Sequence, residues 1–305
     1  MAGTQRILYG VAELCLTPRS IFSPIPYFAI FLYLLSINTH TFTLQCLRAL
    51  SWGVLFTLVG VSASNLWNHT NDLEDDIIAG KENLLTEGQM SKRSALALST
   101  LLYASSIALS LHLTHTLGRD IWMPLLIWAV ITWLYSDKIF TGARLKSHYI
   151  GELLTYIVAY PCFTLTTWLI YSENLLQGMV VASAFAFLGV SGVLLKDLKD
   201  ISGDRRAGLR TLGVIFPPST LIHASCILLM LYYLTLIISG ITSIFSIGTL
   251  LILIPFAYYM KKTFLHFTRK NWRLSEGDHI PIGAMMMTTY GSLLLLGVGS
   301  LIQIA

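Results

Sequence analysis

The chain has 305 residues, of which 54% are hydrophobic and only 12% charged. Soluble domains carry about 25% charged residues, so this composition excludes an ordinary soluble fold and leaves a polytopic membrane protein. The net charge of +4 comes from Lys and Arg gathered in a few loops, which topology explains better than nucleic-acid binding does.

Nine apolar segments of about 20 residues, the length that crosses a bilayer, lie near 21–38, 48–67, 94–115, 120–137, 149–170, 176–195, 219–239, 243–260 and 281–303. Each is predicted helical, because a backbone in lipid must pair its polar groups internally. The expected fold is all-α: a polytopic membrane protein with nine transmembrane helices. These form two four-helix halves, roughly 1–140 and 141–262, plus a ninth helix at 281–303, in a single domain over 1–305. The first apolar stretch holds Glu13, Pro18 and Arg19. That predicts no cleavable signal peptide, and a first span that acts as its own insertion signal. Cys15, Cys46, Cys162 and Cys226 are scattered with no CxxC pair, so no metal knuckle or disulfide framework is expected.

The charges set the expected topology. With nine spans, the N-terminus and the loops after spans 2, 4, 6 and 8 share one side. That side carries 18 of the 20 basic residues, and the other carries Arg48 and Arg119. The positive-inside rule places the N-terminus and those loops in the cytoplasm.

The second segment runs into Asp72, Glu74, Asp75, Asp76 and Glu82. Asn68, Asp72 and Asp76 are spaced i, i+4, i+8, so on a helix they stack on one face. An acidic run alone is ordinarily a solvated helix end. A stripe of oxygens at the edge of hydrocarbon also suits Mg²⁺, which uses one or two carboxylates and completes its shell with water and phosphate. A second cluster, Asp197, Asp200 and Asp204, follows the sixth segment, and Asp72 and Asp200 stand 128 residues apart. That separation is four spans, so two acidic helix ends occupy equivalent places in two halves and point to one shared site. Facing carboxylate sets of this kind hold Mg²⁺ against a diphosphate, with nearby Lys and Arg neutralising the remaining charge. Loss of the diphosphate from an allylic carbon leaves a cation that aromatic faces stabilise and an apolar pocket keeps from water.

Asn68-xxx-Asp72-xxx-Asp76 followed by Gly88-Gln89-Met90-Ser91 resembles the first signature of the UbiA superfamily of intramembrane prenyltransferases. Asp200-Ile-Ser-Gly-Asp204-Arg-Arg-Ala-Gly-Leu-Arg-Thr-Leu resembles the second. Between them Tyr135-Ser136, Arg144-Leu145-Lys146 and Gly151-Glu152 are similar to a loop of the menaquinone-branch members, and Thr17-Pro18-Arg19 is loosely similar to the basic start of the first helix. The resemblance covers the whole chain in order. It implies Mg²⁺-dependent transfer of a polyprenyl group, geranyl or longer, from its diphosphate to a lipophilic acceptor. Asn68, Asp72 and Asp76 would hold one ion, and Asp200 and Asp204 a second, with Asp197 as an extra ligand. Arg19, Lys81, Lys138, Arg144 and Lys146 are the implied diphosphate contacts. Asp72, Asp200 and Tyr135, the last facing the reacting carbon, are the implied catalytic residues. Implied partners are a prenyl diphosphate, the acceptor and membrane lipid, and no nucleic acid.

Two positions depart from the family pattern: His69 stands where many members have Asp, and Asn83 where many have an Arg on the diphosphate. The 135–152 stretch leans towards an aromatic quinone precursor as acceptor. The form Lys196-Asp-Leu-Lys-Asp-Ile-Ser-Gly-Asp204 equally resembles the digeranylgeranylglyceryl phosphate synthases of archaeal lipid synthesis. An ion-coupled transporter is the alternative of another class, although it would favour mid-span acids. A transferase acting on nucleotide-activated alcohols lacks its DGxxAR signature here.

Overall fold

The computed structural model describes residues 2–16, 24–36, 44–78, 80–206, 208–273 and 279–302. In chain order the helices are α1 (Ala2–Leu16), α2 (Pro24–Ser36), α3 (Leu44–Asn71), α4 (Leu73–Ile78), α5 (Lys92–Leu117), α6 (Trp122–Ser136), α7 (Tyr149–Tyr171), α8 (Leu175–Arg206), α9 (Leu212–Ile215) and α10 (Pro218–Ile241). Then come α11 (Leu253–Tyr259), α12 (Leu265–Arg269) and α13 (His279–Ser300). The described residues form no strand ladder, as the all-α expectation requires; one isolated parallel bridge joins His148 and Arg210.

Helices overlie the predicted apolar segments. Five of them (α3, α5, α7, the Leu175–Leu195 part of α8, and α10) are long and apolar enough to cross a membrane, and Trp122–Ser136 and Tyr290–Ser300 are apolar but shorter. Two features depart from the sequence reading. Residues 2–16 are helical, although their mixed polarity gave no spanning signal. The segment predicted at 243–260 is no uniform helix: it runs as a 3-10 stretch at Ile247–Ile252, then α11, a π stretch at Met260–Phe264, and α12.

Several hydroxyls inside the apolar layers are paired within their own helices. Thr57, Thr70, Ser106, Thr164, Thr166 and Thr167 each donate to a carbonyl four residues back, which removes the cost of an unpaired hydroxyl in a low-dielectric medium. Other hydroxyls tie helices together: Tyr103 with Thr132 at 3.0 Å, Ser191 with Ser225 at 2.8 Å, and Tyr259 to the Cys226 carbonyl at 2.6 Å.

Two apolar cores result. One gathers Phe56, Trp67, Tyr103, Trp128 and Leu169 from α3, α5, α6 and α7. The other gathers Trp168, Phe185, Tyr232, Tyr233 and Tyr259 with Leu32 of α2 and Leu293 of α13. Helix α2 touches α3, α7 and α13, so the beginning of the bundle meets its end. A third, smaller cluster seats Leu14 and Cys15 of α1 on Leu66 of α3 and on Leu84 and Leu85. Arg119, assigned to the less basic side, donates to the carbonyls of Leu169 and Ile170 at 3.0 and 3.4 Å. It caps the end of α7 opposite the acidic residues.

Candidate active site

The site grows from the end of α3. The helix breaks at Asp72, yet the Asp72 amide still donates to the Asn68 carbonyl at 2.9 Å and the Asp76 amide to that of Asp72 at 2.8 Å. The i, i+4, i+8 register therefore survives into α4. Of the four acids at this end, Glu74 meets Lys92 at 3.4 Å, and Asp72, Asp75 and Asp76 are left for the opposite loops to neutralise.

The loop from Asp137 to His148 supplies most of that charge. Asp137 is fully buried. Its carboxylate accepts the amides of Ile139, Phe140 and Thr141 at 3.0, 2.9 and 2.8 Å, and the Thr141 hydroxyl at 2.8 Å. Burial would raise the carboxyl pKa, and these hydrogen bonds outweigh it and hold it below the ordinary range. The knot presents three cations in turn. Lys138 bonds Asp75 through Nζ at 3.0 Å and Asn71 Oδ1 through its backbone amide at 2.9 Å. Arg144 pairs with Asp75 and lies 3.5 Å from Asp72 Oδ1. It does so from the left-handed region, at φ 36°, a strain of about 1–3 kcal/mol that functional sites commonly carry. Lys146, its side chain only 11% exposed, donates to Asn68 Oδ1 at 2.8 Å and pairs with Asp72. Burial lowers the Lys146 pKa, opposed chiefly by the Asp72 charge. Ser136 also donates to Asn68 Oδ1, at 2.5 Å.

Asp76 closes the row. It is buried and takes Lys81 at 2.7 Å and His69 Nδ1 at 3.4 Å. Burial raises its carboxyl, and His69 and Lys81 more than reverse that, leaving it below the ordinary range. Asp75 behaves alike: burial raises it, and Lys138 with Arg144 bring it down. Such depressed carboxylates stabilise the fold above their unfolded value, about pH 4, and that contribution is lost as pH falls through the folded value. The thermal midpoint of purified protein is therefore expected to hold steady above about pH 5 and fall below about pH 4. The fall should shrink in a D75N/D76N variant, and an unchanged acid limb there would count against these pairs.

The structure explains both departures from the family pattern. His69 takes its place in the row by pairing with Asp76. Asn83 is a turn residue: its Oδ1 accepts the amides of Leu85 and Thr86 at 2.9 and 3.1 Å, while Thr86 Oγ1 accepts the Asn83 amide at 2.9 Å. The turn plants Leu84 and Leu85 against α1 and leaves Lys81 on Asp76. His148 is the polar residue at the start of α7, accepting the Ile150 amide at 3.3 Å.

The second acidic cluster lies at the end of α8. Gly208, at φ 70°, reverses the chain there without the left-handed backbone strain that a residue with a Cβ would carry. Asp204 Oδ2 accepts the Thr211 hydroxyl at 2.8 Å. The chain then pairs with the first loop: the Arg210 amide donates to the Ser147 carbonyl at 2.9 Å and the Tyr149 amide to that of Arg210 at 2.7 Å. Gly151 lets this corner close, because a Cβ there would stand 2.4 Å from the Leu145 carbonyl oxygen. Arg19 and the side chains of Asp197 and Asp200 lie outside the described residues. The structure thus brings Asn68, Asp72, Asp76, Lys81, Lys138, Arg144 and Lys146 together, and Tyr135 joins them with its ring 5.7 Å from Lys146 Nζ. Asp204 stands in the last turn of α8 and is tied through Thr211 to the loop that pairs with residues 147–149.

The donor set fits a hard divalent cation. Asn68, Asp72 and Asp76 offer oxygen alone, and Asp72 Oδ1 is buried without a hydrogen bond. Among the described residues no three His, Cys, Asp or Glu side chains surround one point. One or two carboxylates are enough for Mg²⁺.

The UbiA prenyltransferase family model matches residues 24–276. An uncharacterised protein of Archaeoglobus fulgidus is 31% identical over 304 residues, covering 94% of this chain and 96% of the relative. A digeranylgeranylglyceryl phosphate synthase of Natronomonas pharaonis is 25% identical over 214 residues, covering 68% and 72%. Two solved structures share the fold. A structure described for digeranylgeranylglyceryl phosphate synthase in membranes has a TM-score of 0.68 at 17% identity, covering 96% of this chain and 98% of the other. A UbiA homolog from Archaeoglobus fulgidus bound to GPP and Mg²⁺ has a TM-score of 0.61 at 17% identity, covering 97% and 99%. With the acidic row, its basic counter-loops and a match over most of its length, the chain belongs to the UbiA prenyltransferase family, as an integral membrane protein.

Proposed function

We propose that the protein transfers a prenyl group from an allylic prenyl diphosphate, geranyl or longer, to a lipophilic acceptor, with Mg²⁺ assisting departure of the diphosphate. The observation that carries this is the meeting of the Asn68, Asp72 and Asp76 row with Lys81, Lys138, Arg144 and Lys146 from two loops. Oxygens that suit a divalent cation stand within reach of cations that suit a phosphate. When bound, Mg²⁺ would supply Lewis-acid stabilisation of the leaving group. Asn68, Asp72 and Asp76 would hold one ion, and Asp197, Asp200 and Asp204 would serve a second.

The remaining work falls to this chain's side chains. Lys146, Arg144 and Lys138 turn from the carboxylates to the diphosphate oxygens, with Lys81 and Arg19 completing the neutralisation. Tyr135 offers its ring face to the allylic carbon. That face already attracts the Lys146 ammonium, so it suits a developing positive charge. The bundle has nine spans in two four-helix halves plus a last helix, with the N-terminus and the site loops in the cytoplasm. The prenyl tail leaves between helices into lipid.

The acceptor has two readings. The 135–152 stretch supports an aromatic quinone precursor. The Natronomonas relative supports a glycerol-phosphate ether lipid instead. Purified protein with Mg²⁺, labelled prenyl diphosphates of increasing length and both acceptor classes decides. A prenylated product with one acceptor class is expected, and no transfer from any donor to any acceptor would overturn the reading.

A further inference from the structure

Glu152 lies in the first turn of α7 and is 3% exposed. It stands outside the acidic row and the diphosphate contacts, yet it joins the two loops. Its Oε2 accepts the backbone amide of Leu212 at 2.8 Å, in the stretch that follows the second acidic cluster. Its Oε1 accepts the Tyr156 hydroxyl at 3.3 Å, and that hydroxyl pairs with the one of Tyr135 at 2.6 Å. The Tyr135 ring faces Lys146, which holds Asn68 and Asp72. A continuous line of contacts therefore runs from the first acidic row to the backbone of the second loop.

The backbone pairing with residues 147–149 holds that loop at Arg210. Leu212, two residues on, is 5% exposed, so its amide needs a buried acceptor. A carboxylate makes the stronger, charge-assisted kind of bond, and removing it would leave a buried donor unpaired. Thr211, between the two, donates to Asp204. Fixing Leu212 therefore also fixes the residue that orients a carboxylate of the second cluster.

We propose that Glu152 is a positioning residue that clasps the loop of the second acidic cluster to the Tyr135 side of the site, so that both clusters are held in one arrangement. Its effect on turnover rests on the transferase reading, whereas the clasp itself does not. The hydrogen bond to Leu212 needs an acceptor oxygen and not a negative charge, so Glu152→Gln should preserve it and Glu152→Ala should abolish it.

The test compares wild type, E152Q and E152A as full-length protein in lipid nanodiscs. Amide hydrogen exchange at residues 209–214 is measured without substrate, alongside turnover, KM for the prenyl diphosphate, and the Mg²⁺ concentration for half-maximal rate. E152A should exchange faster there, lose about tenfold in turnover or Mg²⁺ affinity, the usual scale for a supporting hydrogen-bond partner, and need more Mg²⁺. E152Q should match wild type in exchange and in Mg²⁺ need. Should E152A fail to fold, E152D replaces it, since its carboxylate is one methylene too short to reach Leu212 and Tyr156 together. Unchanged exchange in the alanine or aspartate variant would overturn the clasp. A glutamine variant as inactive as alanine would overturn it too, because the carboxylate would then act as the end of a proton path through Tyr156 and Tyr135. A wild type that transfers no prenyl group would sink the transferase reading and leave the exchange measurement to decide the clasp alone.

Discussion

Replacing Asp72 is expected to lower turnover about 10²-fold or more, the usual scale for losing one preorganised charge stabiliser. Asp72 sits at the break between α3 and α4, where Lys146 and Arg144 converge on it. Its Oδ1 is buried and accepts no hydrogen bond, which leaves an oxygen ready for a ligand. Alanine is an imperfect probe. The Lys146 ammonium is buried and would keep the neutral Asn68 amide oxygen as its acceptor but lose the Asp72 charge, and an under-compensated buried charge destabilises a fold by itself. Asparagine keeps an acceptor oxygen of similar size and removes the charge. Asp72→Asn should therefore lose as much turnover as Asp72→Ala while its thermal midpoint stays nearer wild type. Near-normal turnover in Asp72→Asn would remove Asp72 from the chemistry. Asp200→Ala carries the same expected loss from its place in the second signature.

The spans and the first acidic row were legible because each follows from one simple rule. Lipid forces long apolar helices, and helical period puts Asn68, Asp72 and Asp76 on one face. What escaped the sequence depends on loops meeting across long separations. The family pattern gives Lys138 and Arg144 as phosphate contacts, yet here they hold Asp75, 63 and 69 residues away in the chain. No local pattern announces such a pair.

Other misses did leave a signal. Asp137 followed by Thr141, just past an apolar helix, is the spacing of a side chain that knots its own loop, and the structure shows that knot. The family pattern points to a missing arginine at Asn83, whereas Asn83 with Thr86 three residues on is a turn signature in its own right. Helix α1 gave no spanning signal because its buried side is narrow. Gly10 is pressed against Leu84, and Ile7, Leu8 and Tyr9 are exposed. The irregular stretch from Ile247 to Arg269 is equally opaque, since an apolar run reads alike whether it winds as 3-10, α or π helix.

Stripping divalent cations with excess EDTA is expected to abolish turnover, and added Mg²⁺ to restore it. The reason is a charge balance visible in the resting site. Asp72, Asp75 and Asp76 are matched by Lys81, Lys138, Arg144 and Lys146. These bases are committed to the carboxylates. A diphosphate arriving at this site meets three acids first, and the bases can turn to it only by abandoning them. At short range in a partly buried site like charges repel strongly, and the repulsion returns as soon as the bases leave their carboxylates. With a divalent cation held by Asn68, Asp72 and Asp76, Lys146 and Lys81 would be free to turn to the phosphate oxygens while the carboxylates stayed neutralised. The exchange predicts a second result. Lys146→Met should weaken prenyl diphosphate binding while leaving Mg²⁺ affinity the same or higher, because the ammonium and the ion compete for Asp72. Mg²⁺ affinity that falls along with diphosphate binding in that variant would refute the competition, and full turnover in EDTA would refute the metal requirement itself.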